Sequence, residues 1–73
     1  MKLGVYRHYK GNHYRVLFVA KHSETLEEMV VYEAMYENKD GTHWVRPRSM
    51  FEEEVQTDKG KVKRFRCIEG EYE

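Results

Sequence analysis

The chain has 73 residues, of which 40% are apolar, 36% are charged and 14% are aromatic, and its net charge is zero. We expect one small folded domain spanning residues 1–73, without a global field that attracts nucleic acid or membranes. Its single cysteine, Cys67, excludes an internal disulfide and a four-cysteine zinc site, and a lone thiol is typical of a cytoplasmic protein. The longest apolar run, Val16–Ala20, is far too short to span a bilayer.

The first two predicted strands form a hairpin. "VYRHYK" and "HYRVLFVAK" flank Gly11-Asn12, which we interpret as a two-residue turn whose glycine supplies the positive φ. In that register Lys10 faces His13 across the two strands.

A polar stretch follows, in which His22, Ser23 and Glu24 are consecutive. Nucleophilic catalysis needs a base, an orienting group and an oxyanion hole that converge, whereas three consecutive side chains diverge. Thr25 and Glu28 have the spacing of a capping box. We therefore interpret the stretch as a corner formed by a short capped helical turn, and not as a catalytic motif.

The middle of the chain predicts two more strands. "MVVYEAMY" is rich in β-branched and aromatic residues, and a turn at Asp40-Gly41 leads into "HWVR". Pro47 ends this strand because proline cannot donate to a ladder. The next segment, "RSMFEE", predicts an irregular or 3₁₀ turn that carries Met50 and Phe51 inward.

The last hairpin is predicted from the pairing of charges. A three-residue loop, Asp58-Lys59-Gly60, places Glu54 opposite Arg64 and Glu52 opposite Arg66 on one face, with apolar residues on the other.

Charge sign is also sorted into longer blocks. Residues 1–21 carry five basic side chains and no acid, and residues 22–37 carry five acids and no base. Because opposite charges on facing strands stabilise a sheet, these blocks predict neighbouring strands.

These elements predict a mainly β fold, a small curled antiparallel sheet or partly open barrel with one short helical turn. An SH3-like barrel is the first choice and an OB-like barrel the second. A sheet with one packed helix stays open as a third.

Three motifs give the chain a family resemblance. They are Y-R-H-Y-K-G, H-S-E-T-L-E and W-V-R-P-x-x-M-F, within a likeness that runs from about Gly4 to Ile68. Together they resemble a family of short bacterial proteins known as domain of unknown function 1653. The resemblance implies a compact, stand-alone, cytoplasmic bacterial domain without an assigned activity, and it carries over no catalytic or binding residues.

Flat rings beside cationic groups are the surface feature that suits recognition of an anionic or planar group. The tyrosines themselves fit either a core or a stacking platform. The candidate binding residues are Trp44, Arg46, Arg48, Arg7, His8 and Lys10. No metal site is predicted, because His8 and His13 have Lys10 and Arg15 as neighbours and no nearby carboxylate in sequence.

The sequence thus predicts a non-enzymatic, cytoplasmic binding or interaction module of unknown ligand, without a cofactor. Its partner would be an unknown protein or a small anionic or planar ligand. No binding to a membrane is predicted. One alternative is binding of single-stranded nucleic acid or RNA. A second is an accessory subunit or small enzyme, although a domain of this size leaves little room for a closed pocket.

Overall fold

Antiparallel β-strands dominate the architecture, which comes from a computed structural model that describes residues 1–37 and 42–71. The elements are β1 (Leu3–His8), β2 (His13–Lys21), β3 (Glu28–Ala34), β4 (His43–Pro47), α1 (Arg48–Phe51), β5 (Glu54–Thr57), β6 (Gly60–Lys63) and β7 (Phe65–Glu71). Five strands form one sheet in the order β4-β3-β2-β1-β7, and β5 pairs with β6 in a separate two-stranded sheet. The predicted turn at Asp40-Gly41 lies outside the described residues.

The five-stranded sheet is curled but open. Its edge strands are β4 and β7, yet the guanidinium carbon of Arg46 in β4 lies 5.9 Å from the ring centroid of Phe65 in β7. Register shifts leave one residue unpaired on β7, opposite Val5 and Tyr6, and one on β2, between Val16 and Phe18; irregularities of this kind bend and twist a strand. The prediction of a mainly β, curled antiparallel sheet is confirmed. Within the described residues no ladder joins β4 to β7, so the SH3-like or OB-like closure is not seen.

The core lies on the inner face of the curl and is largely aromatic. Its buried members are Tyr6, Val16, Val30, Tyr32, Phe51 and Phe65. The ring of Phe51, supplied by α1, stacks on Phe65 with 4.0 Å between centroids and 4° between planes. The segment after Pro47 is a short α-helix and not the predicted irregular or 3₁₀ turn, and it carries Phe51 inward as predicted. The same prediction is wrong for Met50, whose side chain is 42% exposed.

The corner between β2 and β3 is a turn and not a helix. The Nδ1 atom of His22 accepts hydrogen bonds from the backbone amides of Glu24 (3.1 Å) and Thr25 (3.4 Å). Thr25 Oγ1 accepts a hydrogen bond from the amide of Glu27 at 3.2 Å. The predicted capping box would have paired Thr25 with Glu28, so that prediction is wrong. His22 therefore has a structural role: its imidazole holds the corner together.

The first hairpin has a different register from the predicted one. Arg7, and not Lys10, lies opposite His13. The amide of Gly11 donates to the carbonyl of His8 at 2.8 Å, and Gly11 has a φ of 112°. A turn that ends on a glycine with positive φ adds loop residues before β2 starts. The loop is longer than predicted for this reason.

The last hairpin is slipped by one residue from the prediction. Glu54 lies opposite Lys63, and the loop between the strands is Asp58-Lys59. Thr57 Oγ1 accepts from the amide of Lys59 at 3.2 Å and donates to the carbonyl of Gly60 at 2.8 Å, which fixes the shorter turn.

The strand after this hairpin also departs from the prediction. The pairing of β6 ends at Lys63, and β7 joins β1 in the other sheet, so Arg66 lies opposite Arg7 and not Glu52. The predicted complementarity of the charge blocks is confirmed elsewhere, since Arg15 of β2 lies opposite Glu33 of β3.

Candidate binding surface

The six predicted binding residues lie in two parts of the sheet, although its curl brings Arg46 and His8 to the same ring, Phe65. Arg7 and His8 lie on β1, whereas Trp44 and Arg46 lie on β4, and two strands separate β1 from β4 in the sheet. Arg48, the first residue of α1, is engaged in ion pairs. The predicted site therefore divides into a β4 half and a β1 half.

Contacts within the protein already occupy the β4 half. Trp44 is half-buried and packs against the core, so only part of it is accessible to a ligand. The Nε atom of Arg46 donates to the hydroxyl of Tyr32 at 3.4 Å, and its guanidinium lies over Phe65. Arg48 pairs with Glu28 and Glu52, at 3.2 and 3.1 Å. These side chains cover the core and brace α1.

The β1 half presents an exposed ring on a well-fixed turn. The side chain of Tyr9 is 38% exposed. Its backbone amide donates to the carbonyl of Arg64 at 2.9 Å, and Nδ1 of His8 accepts from the amide of Lys10 at 3.1 Å. These hydrogen bonds hold the turn to the residue before β7 and to the imidazole of His8. The fixed turn therefore positions the Tyr9 ring.

Two open hollows adjoin this ring and share Tyr9 and Val62 as a common wall. The first, of about 200 Å³, is otherwise lined by Arg7, Lys63 and Arg66. The second, of about 400 Å³, is otherwise lined by Thr57, Asp58, Lys10 and Lys59. We call the two hollows together the Tyr9 surface. It carries five basic side chains and one acidic side chain, although the whole chain is neutral.

Arg7 and Arg66 are directly opposite each other in the antiparallel pair of β1 and β7, and both are exposed. Like charges at facing positions destabilise a sheet. Among the described residues neither guanidinium belongs to an ion pair, whereas Arg15 pairs with Glu33 on β3 at 3.8 Å. Two arginines thus occupy facing positions and line the same hollow, and within residues 1–37 and 42–71 neither has an acidic partner.

His8 lies behind the Tyr9 surface. Its ring centroid is 4.7 Å from that of Tyr9 and 4.9 Å from that of Phe65. Burial lowers the pKa of His8 below its ordinary value of 6.5, and the positive charges of Arg64, Lys10 and Arg46 lower it further. The imidazole therefore favours its neutral form, and the same charges favour an anion at this end of the sheet.

Sequence reasoning placed Arg7, His8 and Lys10 in the site but omitted Lys59, Lys63 and Arg66. These three were assigned to a hairpin that balances its own charges. The available signal was the five basic residues between positions 59 and 66. Their positive charge exceeds the negative charge on the facing strand β5.

No group of three or more histidine, cysteine or acidic side chains in the described part of the chain could hold a metal ion. Residues 1–37 and 42–71 also contain no helix with the length and apolar content that a membrane crossing requires.

Comparisons with known proteins give a consistent result. The profile of a family described as "protein of unknown function (DUF1653)" matches residues 4–67. The fold is similar to the crystal structure of a DUF1653 protein from Bordetella bronchiseptica, with a TM-score of 0.89 and 38% sequence identity. That likeness covers 93% of this chain and 87% of the other. No protein with a curated description matches the chain.

Proposed function

Since the chain belongs to the DUF1653 family, whose function is unknown, we propose from its surface chemistry that it is a non-enzymatic module that binds an anionic ligand at the Tyr9 surface. The observation that carries the proposal is the facing pair Arg7 and Arg66, which has no internal counter-anion among the described residues. An external anion between the two guanidinium groups would relieve their repulsion.

The side chains of the first hollow suit this role chemically. Guanidinium groups bind carboxylates and phosphates through paired, charge-assisted hydrogen bonds, which Arg7 and Arg66 can supply from adjacent strands. Lys63 adds a compact charge from the other sheet. Three cations around one hollow favour a ligand group with more than one negative charge.

The shape of the surface supports binding without catalysis. Both hollows open to solvent, and a catalytic site gains most of its electrostatic strength by excluding water. A shallow, charged surface of this kind favours reversible association that depends on ionic strength.

The test is an amide chemical-shift titration of the intact protein with inorganic tripolyphosphate at low salt. Lys63→Gln is compared with Lys21→Gln, since both lysines are exposed and face a glutamate across a hairpin, Glu54 and Glu28 respectively. We expect the largest shifts at residues 7, 9, 63 and 66. We also expect Lys63→Gln to weaken binding roughly three-fold or more and Lys21→Gln to leave it unchanged. Scattered shifts, or equal effects of the two substitutions, would overturn the proposal.

A further inference from the structure

We infer that the anionic ligand of the Tyr9 surface is single-stranded nucleic acid, an inference that rests on the function proposed above. Three features carry it: the basic residues grouped on both hollows around a shared ring, the exposure of Tyr9, and the open shape of the hollows.

The first feature is the grouping of charges around a shared ring. Arg7, Lys63 and Arg66 line one hollow at Tyr9, and Lys10 and Lys59, with the acidic Asp58, line the other. A single strand presents phosphate, base and phosphate in succession, so its charges can lie in the two hollows while a base stacks on the ring between them. An acidic peptide offers the charges without the flat group between them.

The second feature is the exposed ring. Tyr9 is 38% exposed although the neighbouring aromatic side chains Tyr6, Tyr32 and Phe65 are buried. Its contacts with His8 and with the Nζ of Lys10, 5.9 Å from the ring centroid, hold the ring beside a cation. Stacking platforms of nucleic-acid-binding proteins combine an aromatic face with a neighbouring cation in this way. A duplex keeps its bases stacked on each other and cannot use such a ring.

The third feature is the shape. Pockets for small molecules enclose most of the ligand, whereas both hollows around Tyr9 are open to solvent and are separated only by a shared wall. An extended chain that crosses the wall contacts both hollows at once. A mononucleotide reaches only one of them together with the ring.

The test uses fluorescence anisotropy with an oligothymidylate of about ten nucleotides, which is within the span of small single-strand binding domains. The comparison ligands are an abasic deoxyribose-phosphate strand of the same length and the corresponding duplex. Tyr9→Ala is paired with Tyr36→Ala, because Tyr36 is equally exposed at 38% and lies away from the hollows. Tyr9→Phe keeps the ring and removes only the hydroxyl.

We expect the oligothymidylate to bind more tightly than the abasic strand and the duplex. Tyr9→Ala should weaken oligothymidylate binding on the order of ten-fold and leave the abasic strand unaffected. Tyr9→Phe and Tyr36→Ala should each retain binding. Affinity should fall steeply with added salt, because phosphate contacts release counterions.

The contrary outcomes separate the two proposals. If the abasic strand binds as tightly as the oligothymidylate and Tyr9→Ala has no effect, the surface binds polyanions but the nucleic-acid inference fails. Tighter binding of the duplex also overturns the inference and leaves anion binding intact. If neither these strands nor tripolyphosphate bind, both proposals fail.

Discussion

Arg7 faces Arg66 across the pair formed by β1 and β7, so the sheet gives up cross-strand stability at the position where the proposed ligand is charged. Facing opposite charges contribute roughly 0.2–1 kcal/mol, and facing like charges cost a similar amount. Sheet stability and ligand affinity therefore place opposing demands on this pair.

The first prediction follows from this opposition. Arg66→Glu should raise the free energy of unfolding by about 0.5–1 kcal/mol, because an attractive pair replaces a repulsive one. The same substitution should abolish tripolyphosphate binding. Urea denaturation and the titration measure the two effects, with Arg66→Gln expected to give an intermediate stability. A protein with Glu at this position that is no more stable than the wild type would contradict the prediction.

The second prediction concerns pH. Because the pKa of His8 is lowered in the folded protein, the unfolded chain binds a proton at His8 more readily than the folded chain does. The contribution of His8 to stability is therefore greatest above its ordinary pKa of 6.5 and falls as the pH drops from there toward the lowered value. Denaturation curves at a series of pH values measure this dependence.

The control for this effect is His8→Asn, since asparagine can accept the amide hydrogen bond of Lys10 that His8 now accepts. The difference in pH dependence between the wild type and His8→Asn isolates the imidazole. A bound polyanion should also raise the pKa of His8, because it offsets the positive charges around the ring. An unchanged His8 titration in saturating tripolyphosphate would contradict that expectation.

The third prediction tests the stacked core. Phe51→Ala should cost about 3–5 kcal/mol, because Phe51 is 1% exposed and stacks on Phe65. A domain of this size has a total stability of only about 4–11 kcal/mol, so this variant should lose a large part of it. Met50→Ala, one residue earlier on α1 but exposed, should change stability by no more than about 0.5 kcal/mol. Thermal denaturation followed by circular dichroism separates the two; similar losses would mean that α1 does not anchor the core through Phe51.

The fourth prediction compares two glycines with similar backbone conformations. Gly4 has a φ of 121° and Gly11 a φ of 112°. A Cβ atom at Gly4 would collide with the carbonyl oxygen of Glu69 on β7, whereas a Cβ atom at Gly11 has open space. Gly11→Ala should cost about 1–2 kcal/mol from backbone strain alone, and Gly4→Ala a further 1–3 kcal/mol from the clash. Chemical denaturation measures both, and equal costs would mean that β7 shifts to accommodate the methyl group.

Local patterns predicted the strands well because each strand carries its own periodicity. The turn residues Gly11-Asn12 and the β-branched and aromatic residues around Val30 predicted β2 and β3, and the opposite charge blocks predicted that these strands are neighbours, as the facing pair Arg15 and Glu33 confirms. Patterns of this kind can be recognised within a few residues, or from the charge sign of neighbouring segments.

The registers of the two hairpins could not be predicted in the same way. Each depends on which loop residue takes a positive φ, and Gly11 and Gly60 do so at the ends of their turns. A hydrogen bond from the amide of Lys10 to His8 and one from Lys59 to Thr57 then fix the loops. A change of one residue in a loop changes every facing pair in the hairpin.

The candidate site was predictable only in part for a related reason. Arg7 and Lys10 are close in sequence to the exposed Tyr9, so the local sequence alone identified them. Arg66 reaches Arg7 only because β7 leaves the last hairpin and pairs with the first strand of the chain. That pairing is long-range, and no local pattern near residue 66 specifies it.

The Tyr9 surface is divided between two sheets, since Lys59, Val62 and Lys63 belong to the β5–β6 hairpin and Arg7 and Arg66 to the five-stranded sheet. Its affinity for any ligand is therefore scaled by the fraction of molecules in which the hairpin is docked in place. The ion pair between Glu53 and Arg64, at 2.6 Å, lies at the base of that hairpin and helps to set the fraction. Residues that never contact the ligand can thus change the occupancy of the surface. A bound ligand would in turn stabilise the docked hairpin and slow amide hydrogen exchange throughout β5 and β6.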